Sequence, residues 1–122
     1  MTQFAAITAM GMSKDYLQYF VDSYKEKTDF VAKSLKAMPF VDVKNADGTF
    51  YLFPDIRALV ENTKFSSDME LCNAFLTEEY VAMMPGIAFG LEGFARISCA
   101  NDMAELEDAM QRFHKFVIRH TN

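Results

Sequence analysis

The residue in this sequence best suited to bind a small anion is Arg96. It lies in the run FARISC at residues 94–99, whose composition predicts a β-strand. Because side chains alternate along a strand, Ala95, Ile97 and Cys99 would face a core while Arg96 faces the opposite side. A planar guanidinium can pair with a carboxylate through two parallel hydrogen bonds, which an ammonium group cannot do. Arg96 is therefore a candidate carboxylate anchor, and the alternative is a solvent-facing arginine on an exposed strand.

A glycine-rich loop precedes this strand and contains other candidate ligand contacts. Residues 80–84 predict a short apolar strand, the run PGIAFG follows at residues 85–90, and a further glycine stands at position 93. Glycine permits positive φ angles and close backbone approaches, which such a loop requires. The residues that could line a ligand pocket are Tyr51, Pro85, Gly86 and Phe89. For Tyr51, packing in a core or an interface is the alternative.

The other reactive residue types do not form a recognisable motif. Cys72 and Cys99 lack the spacing of a metal or redox site, so we expect two free, buried thiols. His114 and His120 lie on a predicted helix without cysteine or carboxylate partners close in sequence, and we therefore expect no metal site. No phosphate-type glycine-rich loop leads into a helix. These patterns predict no catalytic residue in the chain.

Composition places the chain among globular proteins of a single domain. It has 122 residues, of which 51% are hydrophobic and 24% charged, and a formal net charge of −5. An acidic balance without a Lys/Arg cluster argues against nucleic acid or an anionic membrane surface as a partner. No apolar run approaches the roughly 20 residues that a membrane span needs. A cytoplasmic protein is the default expectation.

The pattern of apolar residues predicts an α/β domain of the α+β two-layer type, in which helices pack on one face of a small, mainly antiparallel sheet. Strands at residues 40–44 and 49–53 flank Asp47-Gly48, a dipeptide typical of hairpins, so these strands should pair. The predicted helices cover residues 13–38, 55–61 and 67–79 and the segment that begins at Asn101 or Asp102.

The segment of residues 1–12 is unusual because it is apolar on nearly every side. A helix of this kind normally has neighbours on several sides. One interpretation is a surface for self-association, and a contact with a part of the protein outside this chain, which the family resemblance described next would imply, is compatible with it.

Four short motifs, taken in order, resemble the class I/II aminotransferases, which are fold-type I enzymes that use pyridoxal phosphate. The motifs are TQFAA at residues 2–6, GTFYL at 48–52, PGIAFG at 85–90 with Gly93 and Arg96-Ile97-Ser98, and Arg112-Phe113. The resemblance is greatest to the bacterial aspartate aminotransferase group and covers nearly the whole chain. It implies that residues 13–122 form the C-terminal small domain of such an enzyme. Residues 1–12 would then be the remnant of a helix that links it to a missing large domain.

The resemblance also implies a role for Arg96. This position matches the arginine that holds the α-carboxylate of the amino-acid or 2-oxo-acid substrate in that family. Pyridoxal phosphate would belong to the full-length parent, a homodimer, whose Schiff-base lysine and cofactor cradle lie in the large domain. The isolated chain should then be inactive and bind no cofactor. The alternative is a stand-alone, non-catalytic module that binds carboxylates or another protein.

Overall fold

A computed structural model describes residues 1–121 and contains five α-helices, three short strands and one 3₁₀ helix in that range. The C-terminal residue of the predicted domain, Asn122, lies outside the described residues. The elements in chain order are α1 (Thr2–Met10), α2 (Lys14–Lys36), β1 (Tyr51–Leu52), α3 (Arg57–Glu61), α4 (Asp68–Glu79), β2 (Met84–Pro85), the 3₁₀ helix (Gly86–Phe89), β3 (Ala95–Ser98) and α5 (Met103–His120).

The sheet is antiparallel, with β3 in the centre and β1 and β2 on either side. Leu52 lies opposite Ile97 in the β1–β3 pair, and Met84 lies opposite Arg96 in the β2–β3 pair. The helices α2, α4 and α5 pack on one another and against the sheet. The predicted fold class, a small antiparallel sheet with helices on one face, is confirmed.

The core lies between the helices and the inward face of the sheet. The predicted apolar stripe of α5 is present, since Leu106, Met110, Phe113 and Val117 are all buried. The same helical periodicity places Val31 and Leu35 of α2 in this core. On β3, Ala95, Ile97 and Cys99 are buried as their alternation predicts.

The predicted hairpin around Asp47-Gly48 is wrong in its pairing. Residues 40–44 do not form a regular strand, and only Asp42 pairs with Asp55 through an isolated antiparallel bridge. Leu52 pairs with Ile97 of β3 and is buried. The positive φ in this loop belongs to Thr49, at 67°, rather than to Gly48.

The predicted caps of the helices are partly present. Ser13 and Ser67 accept hydrogen bonds from the backbone N–H groups of Asp15 and Glu70, each at 3.2 Å, and so begin α2 and α4. The Glu70 carboxylate accepts from the N–H of Ser66 at 3.0 Å, one residue earlier than a capping box predicts.

The N-terminal part of the chain contributes nothing to the core. Every residue from 1 to 22 is exposed, which includes all of α1 and the first nine residues of α2. Several of these residues are large and apolar, and Phe4 and Ile7 are 78% and 68% exposed. Leu17, Phe20 and Val21 line an open groove with Ala46 and Phe50, but none of them is buried.

Candidate functional site

Arg96 occupies the middle of the central strand, with its side chain on the face opposite the helical core. Its neighbours Ala95 and Ile97 are buried and anchor the backbone, whereas Arg96 itself is half-buried. Because β3 is hydrogen-bonded on both sides, the Cα of Arg96 is held by the whole sheet. A side chain that must meet a ligand at a fixed position is well placed on such an element.

Two aromatic rings flank the guanidinium. The Cζ atom of Arg96 lies 4.5 Å from the ring centroid of Tyr51 on β1 and 4.4 Å from that of Phe89 in the 3₁₀ helix. Aromatic faces attract a cation and stack on the flat guanidinium while leaving its edge free for hydrogen bonds. The structure thus brings together three of the residues predicted from sequence.

The hydrogen-bond donors of this guanidinium are not engaged by a carboxylate. Among residues 1–121, Arg57, Arg112 and Arg119 each form an ion pair, at 2.5 Å with Asp55, 2.8 Å with Asp108 and 2.7 Å with Glu79. Within the same range, no Asp or Glu oxygen lies within 4.0 Å of Arg96. Of the arginines in residues 1–121, Arg96 is therefore the one that can bind an external carboxylate without breaking an ion pair within the chain.

Pro85 and Gly86 contribute through the backbone. Pro85 pairs with Ala95, and the N–H of Gly86 donates to the carbonyl of Phe94 at 2.7 Å. A Cβ on Gly86 would collide with the carbonyl oxygen of Leu91 and lie 2.8 Å from Cβ of Phe94. Only glycine fits this position without a backbone shift, so Gly86 sets how closely the loop approaches β3.

A third aromatic side chain, Phe53, extends the site and was not predicted. Its ring packs edge-on against Phe89 at 6.2 Å and stacks on Phe94 at 5.4 Å. Alternation along residues 49–53 places Phe53 on the same side as Tyr51, and this pattern could have identified it. Phe53 thus supports the outer side of the Phe89 ring.

The space beside the aromatic residues is open. A groove of about 550 Å³ runs past Tyr51, Phe53 and Phe94, but Arg96 is not part of its lining. A separate cavity of about 410 Å³ lies between α5 and the segment of residues 80–83 and does not include Arg96 either. The Arg96 side chain is half-buried and lies outside both spaces.

The chain's own residues do not fit pyridoxal phosphate. Each of the eight lysines is exposed or half-exposed, so none lies in a closed site suited to a Schiff base. The glycine-rich loop does not offer a phosphate cradle, because the N–H groups of Gly86, Ile87, Gly90 and Leu91 already donate to protein oxygens. No three His, Cys, Asp or Glu side chains in residues 1–121 converge as a metal site.

The predicted free, buried state of both cysteines is confirmed. Burial raises the pKa of the Cys72 thiol to about 12, with a smaller contribution from the charge of Asp68. Burial likewise raises the pKa of Cys99 to about 11. Neither thiol is ionised at neutral pH, so neither is suited to act as a nucleophile.

Comparison with known proteins now identifies the family. The family model described as "Aminotransferase class I and II" matches residues 1–113. The chain belongs to this aminotransferase family. No helix within residues 1–121 combines the length and the apolar character needed to cross a membrane.

Individual aminotransferases agree with this assignment. An aspartate aminotransferase of Bacillus sp. (strain YM-2) is 34% identical over 116 residues, covering 95% of this chain and 30% of that protein. The crystal structure of the aspartate aminotransferase from Rhizobium meliloti matches with a TM-score of 0.90 at 30% identity, covering 96% of this chain and 30% of that one. An alanine aminotransferase from Pyrococcus furiosus matches with a TM-score of 0.90 at 32% identity, covering 97% of this chain and 30% of its own.

The chain thus spans about 30% of the length of the aminotransferases that it matches. The resemblance to class I/II aminotransferases is confirmed.

Proposed function

We propose that this chain is the substrate-closing small domain of a pyridoxal-phosphate-dependent amino-acid aminotransferase of the aspartate aminotransferase type. Arg96 anchors the α-carboxylate of the amino-acid or 2-oxo-acid substrate. The observation that carries this proposal is the Arg96 guanidinium, which lies between two aromatic rings with no carboxylate partner in residues 1–121. Pairing with a substrate carboxylate would supply the missing acceptor.

The chain's own residues would act by orienting the substrate. Tyr51 and Phe89 restrict rotation of the guanidinium, so its fork points in one direction before a carboxylate arrives. A bidentate pair would then fix the position of the substrate's α-carbon. The cofactor, when bound elsewhere in the longer enzyme, supplies the electron sink for the reaction. In this division of labour, this chain binds the substrate carboxylate and contributes to closure, while the rest of the enzyme holds the cofactor.

We expect this domain to close onto a bound substrate, because Arg96 is only half-buried and lies outside both neighbouring spaces. A large domain, outside this chain, would provide the facing wall, and the carboxylate pair would favour the closed arrangement that excludes water. The exposed apolar surface of residues 1–22 would dock on that large domain. We also expect the longer enzyme to be a cytoplasmic homodimer, and the chain alone to be inactive.

The second candidate is a non-catalytic module that binds carboxylates or another protein. The observation that favours it is the same exposed apolar surface of residues 1–22, which would suit a separate protein partner. Incubation with pyridoxal phosphate, followed by borohydride reduction and peptide mass spectrometry, tests whether the chain holds a cofactor by itself. A single lysine labelled in full would contradict a division of labour in which the cofactor is bound elsewhere.

A chimera tests the proposed role of Arg96 directly. This chain would replace the matched segment of the Rhizobium meliloti aspartate aminotransferase, to which it is similar over 96% of its own length. Arg96→Lys in the chimera keeps the charge but loses the fork. We expect kcat/KM for aspartate to fall roughly 30-fold or more, equivalent to about 2 kcal/mol for a close charge pair.

The matched control is Arg119→Lys, which changes another arginine of the same chain in the same way. Arg119 pairs with Glu78 and Glu79 at the end of α4 and has no contact with the aromatic rings around Arg96. We expect kcat/KM to stay within about twofold, since exposed ion pairs contribute little. Equal kcat/KM for Arg96→Lys and the unsubstituted chimera would refute the anchor role.

A further inference from the structure

Asp68 is the one charged side chain in residues 1–121 that is buried, and it is 2% exposed. Removing a carboxylate from water is costly unless hydrogen bonds replace its hydration. The structure provides two such bonds. Oδ1 accepts from the N–H of Met69 and Oδ2 accepts from the N–H of Ile87, each at 2.9 Å.

These two bonds differ in what they hold. The bond from Met69 is local, because it joins neighbouring residues at the beginning of α4. The bond from Ile87 spans 19 residues and joins α4 to the 3₁₀ helix of residues 86–89. Helix capping alone would not require the second bond, so it points to a role in placing the 3₁₀ helix.

The 3₁₀ helix carries Phe89, two residues beyond Ile87. Phe89 is 46% exposed, so burial in a core does not fix its position. Besides the edge contact of its ring with Phe53 at 6.2 Å, its location depends on the backbone ties of the helix, namely Gly86 to Phe94 at 2.7 Å and Ile87 to Asp68 at 2.9 Å. Phe89 in turn lies 4.4 Å from Cζ of Arg96.

We infer that Asp68 is a positioning residue, which holds the 3₁₀ helix so that Phe89 covers the Arg96 guanidinium. Its relevance to substrate affinity rests on the proposed function, whereas its effect on the Phe89–Arg96 contact does not. Asp68 touches no substrate and acts only through the backbone of Ile87. Loss of this tie would leave Arg96 in place on β3 but free one side of its guanidinium.

Nuclear magnetic resonance of the 122-residue chain tests the inference. A proton close to the face of an aromatic ring is shielded, so the Arg96 Hε resonance reports whether Phe89 covers the guanidinium. Phe89→Leu gives the resonance position without that ring. In Asp68→Asn only one acceptor remains for two N–H donors, and in Asp68→Ala none remains. We expect both variants to move the Arg96 Hε resonance most of the way toward its position in Phe89→Leu.

Glu70→Gln is the matched control at the same helix end. The Glu70 carboxylate accepts from the N–H of Ser66 at 3.0 Å and, within residues 1–121, forms no hydrogen bond to the 3₁₀ helix. We expect Glu70→Gln to weaken the beginning of α4 while leaving the Arg96 Hε resonance where it is. Unmoved resonances in both folded Asp68 variants would overturn the inference.

Titration with acetate, with acetamide as the uncharged comparison, separates the inference from the proposed function. If the function is right, acetate but not acetamide shifts Arg96 Hε in the unsubstituted chain. The Asp68 variants should then bind acetate roughly fivefold more weakly, the size expected for a lost cation–π contact. The Arg96 Hε resonance could move in the Asp68 variants while acetate leaves it unshifted in the unsubstituted chain. That result would support the positioning role and contradict the proposed function.

A measurement on the unsubstituted chain covers the case in which both Asp68 variants fail to fold. The N–H of Ile87 should exchange slowly with solvent and show a coupling across its hydrogen bond to the Asp68 carboxylate. Fast exchange of the Ile87 N–H, with no such coupling, would overturn the inference.

Discussion

Nε2 of His120 lies 2.8 Å from Oε2 of Glu78, which joins the last turn of α5 to the last turn of α4. The imidazole packs against the rings of Phe65 and Phe116, with centroids 5.0 and 4.5 Å away, and these two rings stack on each other. Arg119 also reaches Glu78, at 3.2 Å. The carboxylate of Glu78 therefore receives donors from two neighbouring residues of α5.

Substitution of Glu78 should change how stability depends on pH. The His120 hydrogen bond, with smaller effects from Arg119 and Lys64, lowers the pKa of Glu78 below its usual 4.5. A lowered pKa in the folded state means stabilisation that is present above the unfolded pKa and is lost as pH falls through the folded one. Glu78→Gln should thus unfold more readily than the original chain at pH 7, by less than about 1 kcal/mol, and the difference should be smaller at pH 3.

Urea unfolding at the two pH values measures this difference. Glu107→Gln is the control, because Glu107 is exposed on α5 and forms no ion pair in the described residues. A constant gap between Glu78→Gln and the original chain at both pH values would contradict the role of the carboxylate charge.

The contacts that the sequence predicts and those that it misses differ in how far apart the contacting residues lie along the chain. The alternation of residues 94–99 predicts the buried and exposed faces of β3, since a strand's period is local. The apolar stripe of α5 is predicted for the same reason. The bond from Ile87 to Asp68 and that from His120 to Glu78 join residues 19 and 42 positions apart, and no periodicity signals them.

The failed hairpin shows how tertiary burial overrides a local turn preference. Asp47-Gly48 favours a tight turn, yet residues 40–44 meet the following segment only at the bridge from Asp42 to Asp55, while Leu52 pairs with Ile97 and is buried. At the site, alternation predicts the direction of Arg96, and the sequence offers Tyr51 and Phe89 only as residues that could line a pocket. The distances that place both rings against one guanidinium require the folded chain.

Alanine substitutions at three glycines should separate steric crowding from backbone strain. Gly86→Ala places a Cβ against backbone atoms and should cost about 2 kcal/mol or more. Gly90 has a φ of 78° with nothing within 4 Å of the added Cβ, so Gly90→Ala should cost about 1 kcal/mol through strain alone. Gly48 has neither restriction, and Gly48→Ala should be neutral or stabilise by about 0.5 kcal/mol.

Chemical denaturation of the three variants gives these free energies of unfolding. The order Gly86→Ala, Gly90→Ala, Gly48→Ala, from least to most stable, is the expected result. A Gly86→Ala variant as stable as the original chain would show that the loop moves freely relative to β3.

Both thiols should be unreactive toward Ellman's reagent in the folded chain at pH 8. The attacking species is the thiolate, and burial raises the pKa of Cys72 to about 12 and that of Cys99 to about 11. In denaturant, both cysteines should react promptly. Stopped-flow absorbance measures the two rates, and a thiol that reacts equally fast in the folded and unfolded chain would contradict the buried positions of Cys72 and Cys99.

The exposed apolar surface of residues 1–22 should make the isolated chain self-associate as its concentration rises. Phe4 and Ile7 are among its most exposed large side chains, so Phe4→Ser with Ile7→Ser should weaken association. Because neither residue is buried, the free energy of unfolding should change by no more than about 0.5 kcal/mol. Sedimentation velocity over a concentration series measures the association.

Ile118→Ser, at a 55% exposed position on α5, is the matched control and should leave association unchanged. An equal loss of association in that control would assign it to general surface hydrophobicity instead of the N-terminal helices.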